Sequence, residues 1–260
     1  MNAATMHKLV ERADAAGYEA LVITVDTVAT GHREKDLRNG FSYNMRPSAR
    51  TAVRLACQLG GRPRWLYGFV CDGMPFQLAN TVEYGYTSPR LTTMGRVSAE
   101  SQSPTWEDIA RIRKAWSKPI VVKGVLTVED ARRAVDCGAQ ALIVSNHGGR
   151  QLDSAPASMA ALPAIASAVG DQVELLLDSG VRRGNDVLKA LALGAKAVLV
   201  GRVMAYGLAV AGAEGVNWML EMLRTDIVRS MRMMGLTSVA DLDDSWVEPI
   251  ATSRFHSDSA

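Results

Sequence analysis

The residues best suited to chemistry form one short run, 145–153, with the sequence SNHGGRQLD. His147 follows the apolar run 141–144, which is typical of a buried strand, and the glycines after it leave room for a ligand. An imidazole placed there can accept or release a proton near neutral pH. Arg150 can bind a carboxylate through two parallel hydrogen bonds. The run therefore predicts a general base beside an anion-binding group.

The alternative for His147 is a structural role, which is the usual one for a lone histidine at the end of a strand. The adjacent glycines and Arg150 favour the catalytic interpretation. The remaining histidines lack such neighbours, and no two histidines have the spacing of a metal site. We therefore expect no metal.

Two later apolar runs end in glycine and arginine, as phosphate-binding turns often do. Gly180 and Gly201 let backbone N–H groups approach an anion, and Arg182 and Arg202 add positive charge. Either pair by itself could be a tight turn with a solvated arginine. Because both pairs end equivalent runs of neighbouring repeats, together they predict a phosphate site.

Charged residues also end two earlier apolar runs. Lys123 closes the run 119–123, where an ammonium needs an anionic partner because an uncompensated buried charge is costly. Asp26 follows Thr24 after the first run, and its alternative role is to cap a turn. Lys123 and Asp26 thus lie at the end of a predicted strand, as His147 does.

The elements that must position these residues repeat along the chain. Residues 118–145 align with 174–201 without a gap, and residues 17–24 resemble the end of the same unit. Each copy has the pattern of a strand, a glycine turn, a helix that ends at glycine, and a second strand. Successive βα units imply parallel strands whose C-terminal ends share one rim, where such folds place their active sites.

The predicted fold class is α/β, a (β/α)8 barrel of the TIM-barrel type in a single catalytic domain, 1–260. The recognisable strands are 21–25, 119–123, 141–145, 174–178 and 197–201, followed by a helix from about 214 to 234 that Gly235 ends. A closed barrel of this type needs eight strands. Either the others lie within 42–105, or they precede residue 1. The weak periodicity of 42–105 favours the second alternative and predicts an irregular insert or lid there.

At these motifs the sequence resembles the family of FMN-dependent 2-hydroxy-acid oxidases and dehydrogenases. The family's motifs occur in the family's order: TVDT with GHREKDLRNGF, then VVKGV, SNHGGRQLD, LDSGVRRG and VGR. The resemblance covers essentially the whole chain and is greatest to the (S)-mandelate dehydrogenase branch. It implies that FMN is the cofactor and that an (S)-2-hydroxy acid, similar to mandelate, lactate or glycolate, is oxidised to the 2-oxo acid.

The resemblance also implies a role for each matching residue. His147 would take a proton from the substrate with Asp26 as its carboxylate partner, and Lys123 would stabilise the flavin. Arg33 and Arg150 would bind the substrate carboxylate. The expected FMN-binding residues are Thr24, Lys123, Ser145, Asp178, Ser179, Gly180, Arg182, Gly201 and Arg202. Family members carry three further strands before the one at 21–25, so we expect flavin binding and turnover by these residues alone to be impaired.

The segment 46–86 resembles the insert that attaches the mandelate dehydrogenase branch peripherally to membranes. It combines the arginines Arg46, Arg50, Arg54, Arg62 and Arg64 with the apolar residues Trp65, Leu66, Tyr67, Phe69 and Val70. Such a mixture suits an interface with anionic lipid, and a solvated lid beside the active site is the equally favoured alternative. The expected location is the cytoplasm, either free or at the inner face of the cell membrane.

The composition limits the binding partners that we expect for this chain. A formal net charge of +2 gives no field that would attract nucleic acid, and the scattered Cys57, Cys71 and Cys137 are typical of a reducing compartment. The resemblance implies a homo-oligomer and an electron acceptor that is oxygen, a quinone or another carrier. Two other functions stay open, a phosphate-binding isomerase or aldolase in which Lys123 forms a Schiff base, and an inactive fragment of the flavoenzyme.

Overall fold

Five parallel strands form one sheet in the part of the chain that the computed structural model describes, residues 3–29, 31–39, 49–73 and 104–248. They are β1 (Leu21–Thr24), β2 (Ile120–Val125), β3 (Ala141–Val144), β4 (Glu174–Leu177) and β5 (Ala197–Val198). Their order in the sheet is their order along the chain. This is the arrangement of consecutive βα units in a (β/α)8-type barrel, and it confirms the predicted strands, although β5 is shorter than expected.

Helices connect the strands, and several of them cover one face of the sheet. In chain order they are α1 (Ala3–Ala15), α2 (Glu34–Arg38), α3 (Ala49–Gly60), α4 (Pro63–Cys71), α5 (Trp106–Ala115), α6 (Val128–Asp136), α7 (Ser158–Val169), α8 (Gly184–Ala192) and α9 (Arg202–Met234). Short 3-10 turns follow at Val239–Asp241 and Asp244–Trp246. The glycines predicted to end the repeated helices, Gly138 and Gly194, have φ of 84° and 102°, the left-handed conformation of a helix C-cap.

The core lies between the sheet and these helices. Alternate strand residues such as Val122, Leu142 and Leu177 are completely buried against Ile109 of α5 and Leu162 of α7. Because side chains alternate between the faces of a strand, the residues between them point to the opposite face. The polar residues of the predicted site lie on that opposite face, at the C-terminal ends of the strands.

The described part of the segment 42–105, where we predicted an irregular insert, is mostly helical over residues 49–71. It forms α3 and α4, and residues 49–73 include no strand. Pro63 occupies the first turn of α4, where its missing N–H costs no hydrogen bond. Residues 42–48 and 74–103 lie outside the described residues.

The last helix starts earlier than predicted. α9 begins at Arg202, and Ala211 (φ −143°) and Gly212 (φ 59°) break it into two segments. The predicted helix is the second segment, which ends at Gly235 with φ of 74° as expected. Gly207 and Gly215 allow the two segments to cross closely, because a Cβ on Gly207 would lie 2.4 Å from the Gly215 carbonyl oxygen.

Candidate active site

Strand register brings the polar strand ends together at one rim of the sheet. Thr24 pairs with Lys123, and Val144 pairs with Leu177, so that Ser145 and Asp178 follow side by side. A cavity of about 330 Å³ opens there, within the range of small-molecule sites. Its lining includes the predicted residues Lys123, His147, Arg150, Asp178, Ser179, Gly180, Arg182, Gly201 and Arg202.

The predicted base and its carboxylate partner lie in contact. His147 Nδ1 is 3.1 Å from Asp26 Oδ1, and the carboxylate is the less exposed of the two side chains, at 14% against 30%. When Nδ1–H donates to Asp26, the other ring nitrogen, Nε2, remains the basic one. The backbone at His147 is left-handed (φ 57°), and its N–H donates to Ser145 Oγ at 3.0 Å. The pair can therefore present an oriented base to the cavity.

Asp26 has room for this contact because residue 124 has no side chain. A Cβ on Gly124 would lie 2.6 Å from Asp26 Cγ and 2.7 Å from its Cβ. Gly124 also has φ of 105°, a conformation that residues with side chains rarely adopt. The glycine in VVKGV thus makes space for the partner of the base.

Lys123 has the anionic partner that its position requires. Its Nζ donates to Asp178 Oδ2 and, at 2.9 Å, to Ser145 Oγ. Both charged side chains are only 18% exposed. Burial alone would raise the pKa of Asp178, but hydrogen bonds from Lys123, Ser145 and Ser179, with the charge of Lys123, hold that pKa below its ordinary value. The pair keeps a fixed ammonium at the cavity wall.

The lowered pKa of Asp178 predicts acid sensitivity. A carboxylate whose folded pKa is depressed stabilises the fold above its unfolded pKa of about 3.8, and this contribution is lost as the pH falls through the folded pKa. We expect the free energy of unfolding in urea to fall below about pH 4 less steeply for Asp178→Asn than for the unmodified chain. Asp178→Asn is also less stable at neutral pH, because Lys123 then lacks its anion.

The matched control is Asp153→Asn, which replaces an exposed carboxylate. It should keep the slope of the unmodified chain. Equal slopes for Asp178→Asn and Asp153→Asn would contradict the prediction.

The glycine and arginine turns form the other end of the cavity. A Cβ on Gly180 or Gly201 would meet nothing within 4 Å, so backbone at both positions is open to a ligand. Arg182 is exposed, and Arg202 donates from Nη2 to the Gly148 carbonyl oxygen at 2.7 Å. An anion at this end would meet open backbone and two guanidinium groups.

The amides at the start of α8 are not part of this anion site. Asp186 Oδ2 accepts from the N–H groups of Arg182 and Arg183 at 2.9 and 3.0 Å, and Asp226 Oδ2 accepts from that of Gly184 at 2.8 Å. Carboxylates therefore already satisfy the helix N-terminus. Asp186 lies in the first turn of α8 itself, whereas Asp226 reaches the same helix from α9.

Three more predicted residues, in addition to Asp26, lie outside the cavity lining. Thr24 and Ser145 are next to Lys123 but outside the lining, and Ser145 is completely buried. Arg33 is half-buried at the start of α2, also outside the lining. Its loop nevertheless touches the loop of Arg150, since a Cβ on Gly31 would lie 2.1 Å from the Arg150 carbonyl oxygen.

Gln151 has a structural role that the sequence analysis missed. Its Nε2 donates to the carbonyl oxygens of Asp26 and Ala29 at 3.3 and 3.4 Å, and its Oε1 accepts from the N–H of Gly31 at 3.2 Å. The side chain joins the loop after β1 to the loop after β3. The sequence feature that could have indicated this role is the position of Gln151 in the run SNHGGRQLD, directly after Arg150.

A parallel βα sheet that carries an oriented histidine, an ion-paired lysine and an open anion site at one rim has the arrangement that barrel enzymes use for their active sites. Among the described residues, no group of three His, Cys, Asp or Glu side chains is placed to hold a metal. The sequence pattern of the FMN-dependent dehydrogenases matches residues 1–249. The chain belongs to this family.

Individual relatives support the assignment. The chain is 44% identical over 236 residues to the pre-mycofactocin synthase of Mycobacterium tuberculosis, covering 90% of this chain and 59% of the relative. It is 43% identical over 242 residues to the L-lactate dehydrogenase of Caulobacter vibrioides, with coverage of 92% and 62%. The structure of the monotopic membrane protein (S)-mandelate dehydrogenase superposes with a TM-score of 0.85 at 39% identity, covering 95% of this chain and 65% of that one. The chain thus spans about three fifths of the curated relatives' length.

The residues present fit FMN, the cofactor of the family. FMN combines a phosphate with a ring whose reduced form is electron-rich. Open backbone at Gly180 and Gly201, with Arg182 and Arg202, suits the phosphate. The ammonium of Lys123 lies on the wall of the same cavity and suits the ring.

Proposed function

We propose that this chain carries the FMN site and the base of an enzyme that oxidises an (S)-2-hydroxy acid to a 2-oxo acid. One observation carries the proposal: the His147–Asp26 pair and the Lys123–Asp178 pair meet at the same cavity as the glycine and arginine turns. The family and its lactate and mandelate relatives agree with it.

Each residue has a defined task in this proposal. His147 accepts a proton from the substrate at Nε2, and Asp26 fixes the ring and stabilises the imidazolium that forms. Arg150, on the cavity wall, binds the substrate carboxylate, and Arg33 approaches from the adjoining loop. When bound, FMN supplies the two-electron acceptor. Lys123 contributes a positive charge that Asp178 and Ser145 hold in place.

The proposal is tested by FMN titration followed by turnover. FMN should bind the chain, more weakly than it binds relatives of full length, as measured by quenching of its fluorescence, and 2-oxo acid should form slowly from lactate, mandelate or glycolate. Oxygen, a soluble quinone and an artificial dye are supplied separately as electron acceptors. FMN binding without 2-oxo acid from any substrate and acceptor would favour an inactive fragment, and absence of FMN binding would reject the proposal.

The alternative of a Schiff-base aldolase or isomerase is disfavoured by Lys123. A nucleophilic lysine must be neutral, whereas Lys123 is ion-paired with Asp178 and also donates to Ser145. Borohydride trapping with a carbonyl substrate should therefore give no adduct at Lys123.

We expect Arg202→Ala to weaken FMN binding. Loss of a charged hydrogen bond to phosphate should raise the dissociation constant about 10- to 100-fold, because such bonds are stronger than neutral ones. Fluorescence titration measures the change. The control is Arg183→Ala, because Arg183 is an exposed neighbouring arginine outside the cavity lining. Equal FMN affinity for the Arg202→Ala variant and the unmodified chain would contradict the assignment.

We propose that α3 and α4 attach the protein peripherally to an anionic membrane surface. α4 has no buried residue, and Trp65 and Tyr67 are 50% and 74% exposed. Trp65 stacks on Phe69 with ring centroids 5.0 Å apart, and the exposed Arg62 and Arg64 flank this apolar surface. Aromatic groups beside arginines suit the lipid interface. Residues 46–48 and 74–86 of the predicted segment lie outside the described residues.

Membrane attachment of this kind requires no spanning helix, and none of the described helices is long and apolar enough to cross a bilayer. We expect the chain to sediment with vesicles that contain phosphatidylserine and to do so less when Trp65 and Tyr67 are both changed to serine. Trp218→Ser removes an exposed tryptophan of α9 and serves as the control. Equal sedimentation of the double variant and the control would instead support a solvated lid.

A homo-oligomeric assembly is a further proposal, which rests on resemblance to the family. Sedimentation equilibrium of the FMN-loaded chain tests it, and a monomer at all concentrations would contradict it.

A further inference from the structure

Ser179 adopts a backbone conformation that a glycine would adopt more easily. Its φ is 74°, in the left-handed region, and Gly180 next to it has φ of 84°. A side chain in this region carries a steric cost that glycine avoids. Strain of this type persists where the surrounding structure requires it, and often at functional sites. The hydroxyl of Ser179 is therefore the feature that needs an explanation.

That hydroxyl joins two loops. Ser179 Oγ donates to Asp178 Oδ1 at 2.7 Å and accepts from the N–H of Gly148 at 2.8 Å. Gly148 directly follows His147, so the hydroxyl connects the end of β4 to the turn that carries the base. The loops lie 31 residues apart in sequence, which makes the contact a tertiary one.

These bonds complete a closed ring. Asp178 accepts from Lys123, Lys123 donates to Ser145 Oγ, and Ser145 Oγ accepts from the N–H of His147. The peptide bond from His147 to Gly148 and the bond from Gly148 to Ser179 close it. Two serine hydroxyls thus hold two successive amides of the base-bearing turn, and His147 itself has the strained φ of 57°.

We propose that Ser179 is a positioning residue that holds His147 on Asp26 by fixing the amide of Gly148. This gives Ser179 a different task from the FMN contact expected from the resemblance. That Ser179 fixes the Gly148 amide is a claim about this chain alone. That this bond supports catalysis by His147 rests on the proposed function. Loss of the hydroxyl should free the turn without removing any group that touches the substrate.

Two substitutions separate the hydroxyl from the backbone strain. Ser179→Ala removes the hydroxyl and keeps a Cβ in the left-handed conformation, whereas Ser179→Gly removes both. Ser154→Gly is the matched control, because Ser154 also has a positive φ, of 61°, and is exposed in the loop after β3. If strain alone mattered, Ser179→Gly would equal or exceed the unmodified chain, and Ser179→Ala would not.

The first measurement needs neither FMN nor turnover. His147–Gly148 is the sole histidine–glycine pair in the sequence, so labelling histidine with carbonyl ¹³C and glycine with ¹⁵N gives one carbonyl-correlated amide signal, that of Gly148. We expect its exchange with solvent to be about tenfold faster in both Ser179 variants, as for the loss of one hydrogen bond. Ser154→Gly should not change it. Unchanged exchange in the Ser179 variants would overturn the proposal.

The second measurement tests the catalytic meaning with the FMN-loaded chain. Both Ser179 variants should lose kcat by about 10- to 100-fold while KM and the FMN dissociation constant change less than about threefold, because substrate and cofactor contacts remain. An α-deuterated substrate should show a larger isotope effect on kcat in the variants. Full kcat in Ser179→Gly would overturn the positioning role. If the unmodified chain itself lacked turnover, the proposed function would fail, and the Gly148 exchange result would still decide the hydrogen-bonding inference.

Discussion

Replacement of His147 by glutamine is expected to slow turnover severely while leaving FMN bound. Glutamine keeps a polar side chain of similar length but cannot act as a base, and general-base catalysis contributes about 10²- to 10⁴-fold to a rate. We therefore expect kcat to fall by about that factor, with little change in the FMN dissociation constant. Steady-state kinetics and fluorescence titration measure the two quantities on the same preparations.

The chain offers a close control in His7. His7 Nδ1 lies 3.2 Å from Glu11 Oε1, so it is also a histidine–carboxylate pair, but it lies on the exposed surface of α1. His7→Gln should leave both quantities unchanged. Weaker FMN binding in His147→Gln, with normal kcat once FMN is saturating, would contradict the assigned role of His147.

Gly124→Ala should have the second largest effect, although residue 124 lies outside the cavity lining. The added Cβ would lie 2.6 Å from Asp26 Cγ, so the carboxylate must move and His147 loses its orienting partner. Overpacking of this kind costs about 1–3 kcal/mol of folding stability. We expect kcat to fall about 100-fold or more in addition, because small displacements of catalytic groups cost rates of that order.

Gly17→Ala separates the steric effect from the backbone effect. Gly17 also has a positive φ, of 75°, but a Cβ there would meet nothing within 4 Å. It should lose some stability in urea unfolding and keep its kcat. If Gly124→Ala kept full kcat, the contact between Asp26 and His147 would not matter for turnover.

The strands and the helix-ending glycines could be predicted because their signals are local. Buried parallel strands are continuous apolar runs, and the internal repeat confirms each element by a second copy. The residues that end those runs then share a rim by topology alone, which is why Lys123, His147 and Asp178 were predicted to meet.

Contacts that depend on the side chains of distant segments could not be predicted in the same way. Gln151 binds the carbonyl of Asp26, 125 residues away, and Asp226 caps a helix that begins 42 residues before it. No local pattern encodes such pairs. The early start of α9 was missed for a different reason, since residues 203–210 are apolar without a clear stripe and Gly212 interrupts the helix.

The position of Ser179 could be predicted from the sequence, but its contacts could not. The motif LDSGVRRG placed it near the predicted phosphate site, but its φ and its bond to Gly148 became visible only in three dimensions. Its position links the lysine side of the cavity to the base. Rigid support of this kind is what a preorganised site requires, because catalytic groups must be held within a fraction of an ångström.

Anaerobic mixing of the FMN-loaded chain with an (S)-2-hydroxy acid tests most directly whether this cavity oxidises hydroxy acids. We predict that the visible absorption of oxidised flavin disappears, that one 2-oxo acid forms per flavin, and that His147→Gln prevents both. Flavin that stays bound and fully oxidised in the presence of lactate, mandelate and glycolate would contradict the proposed function.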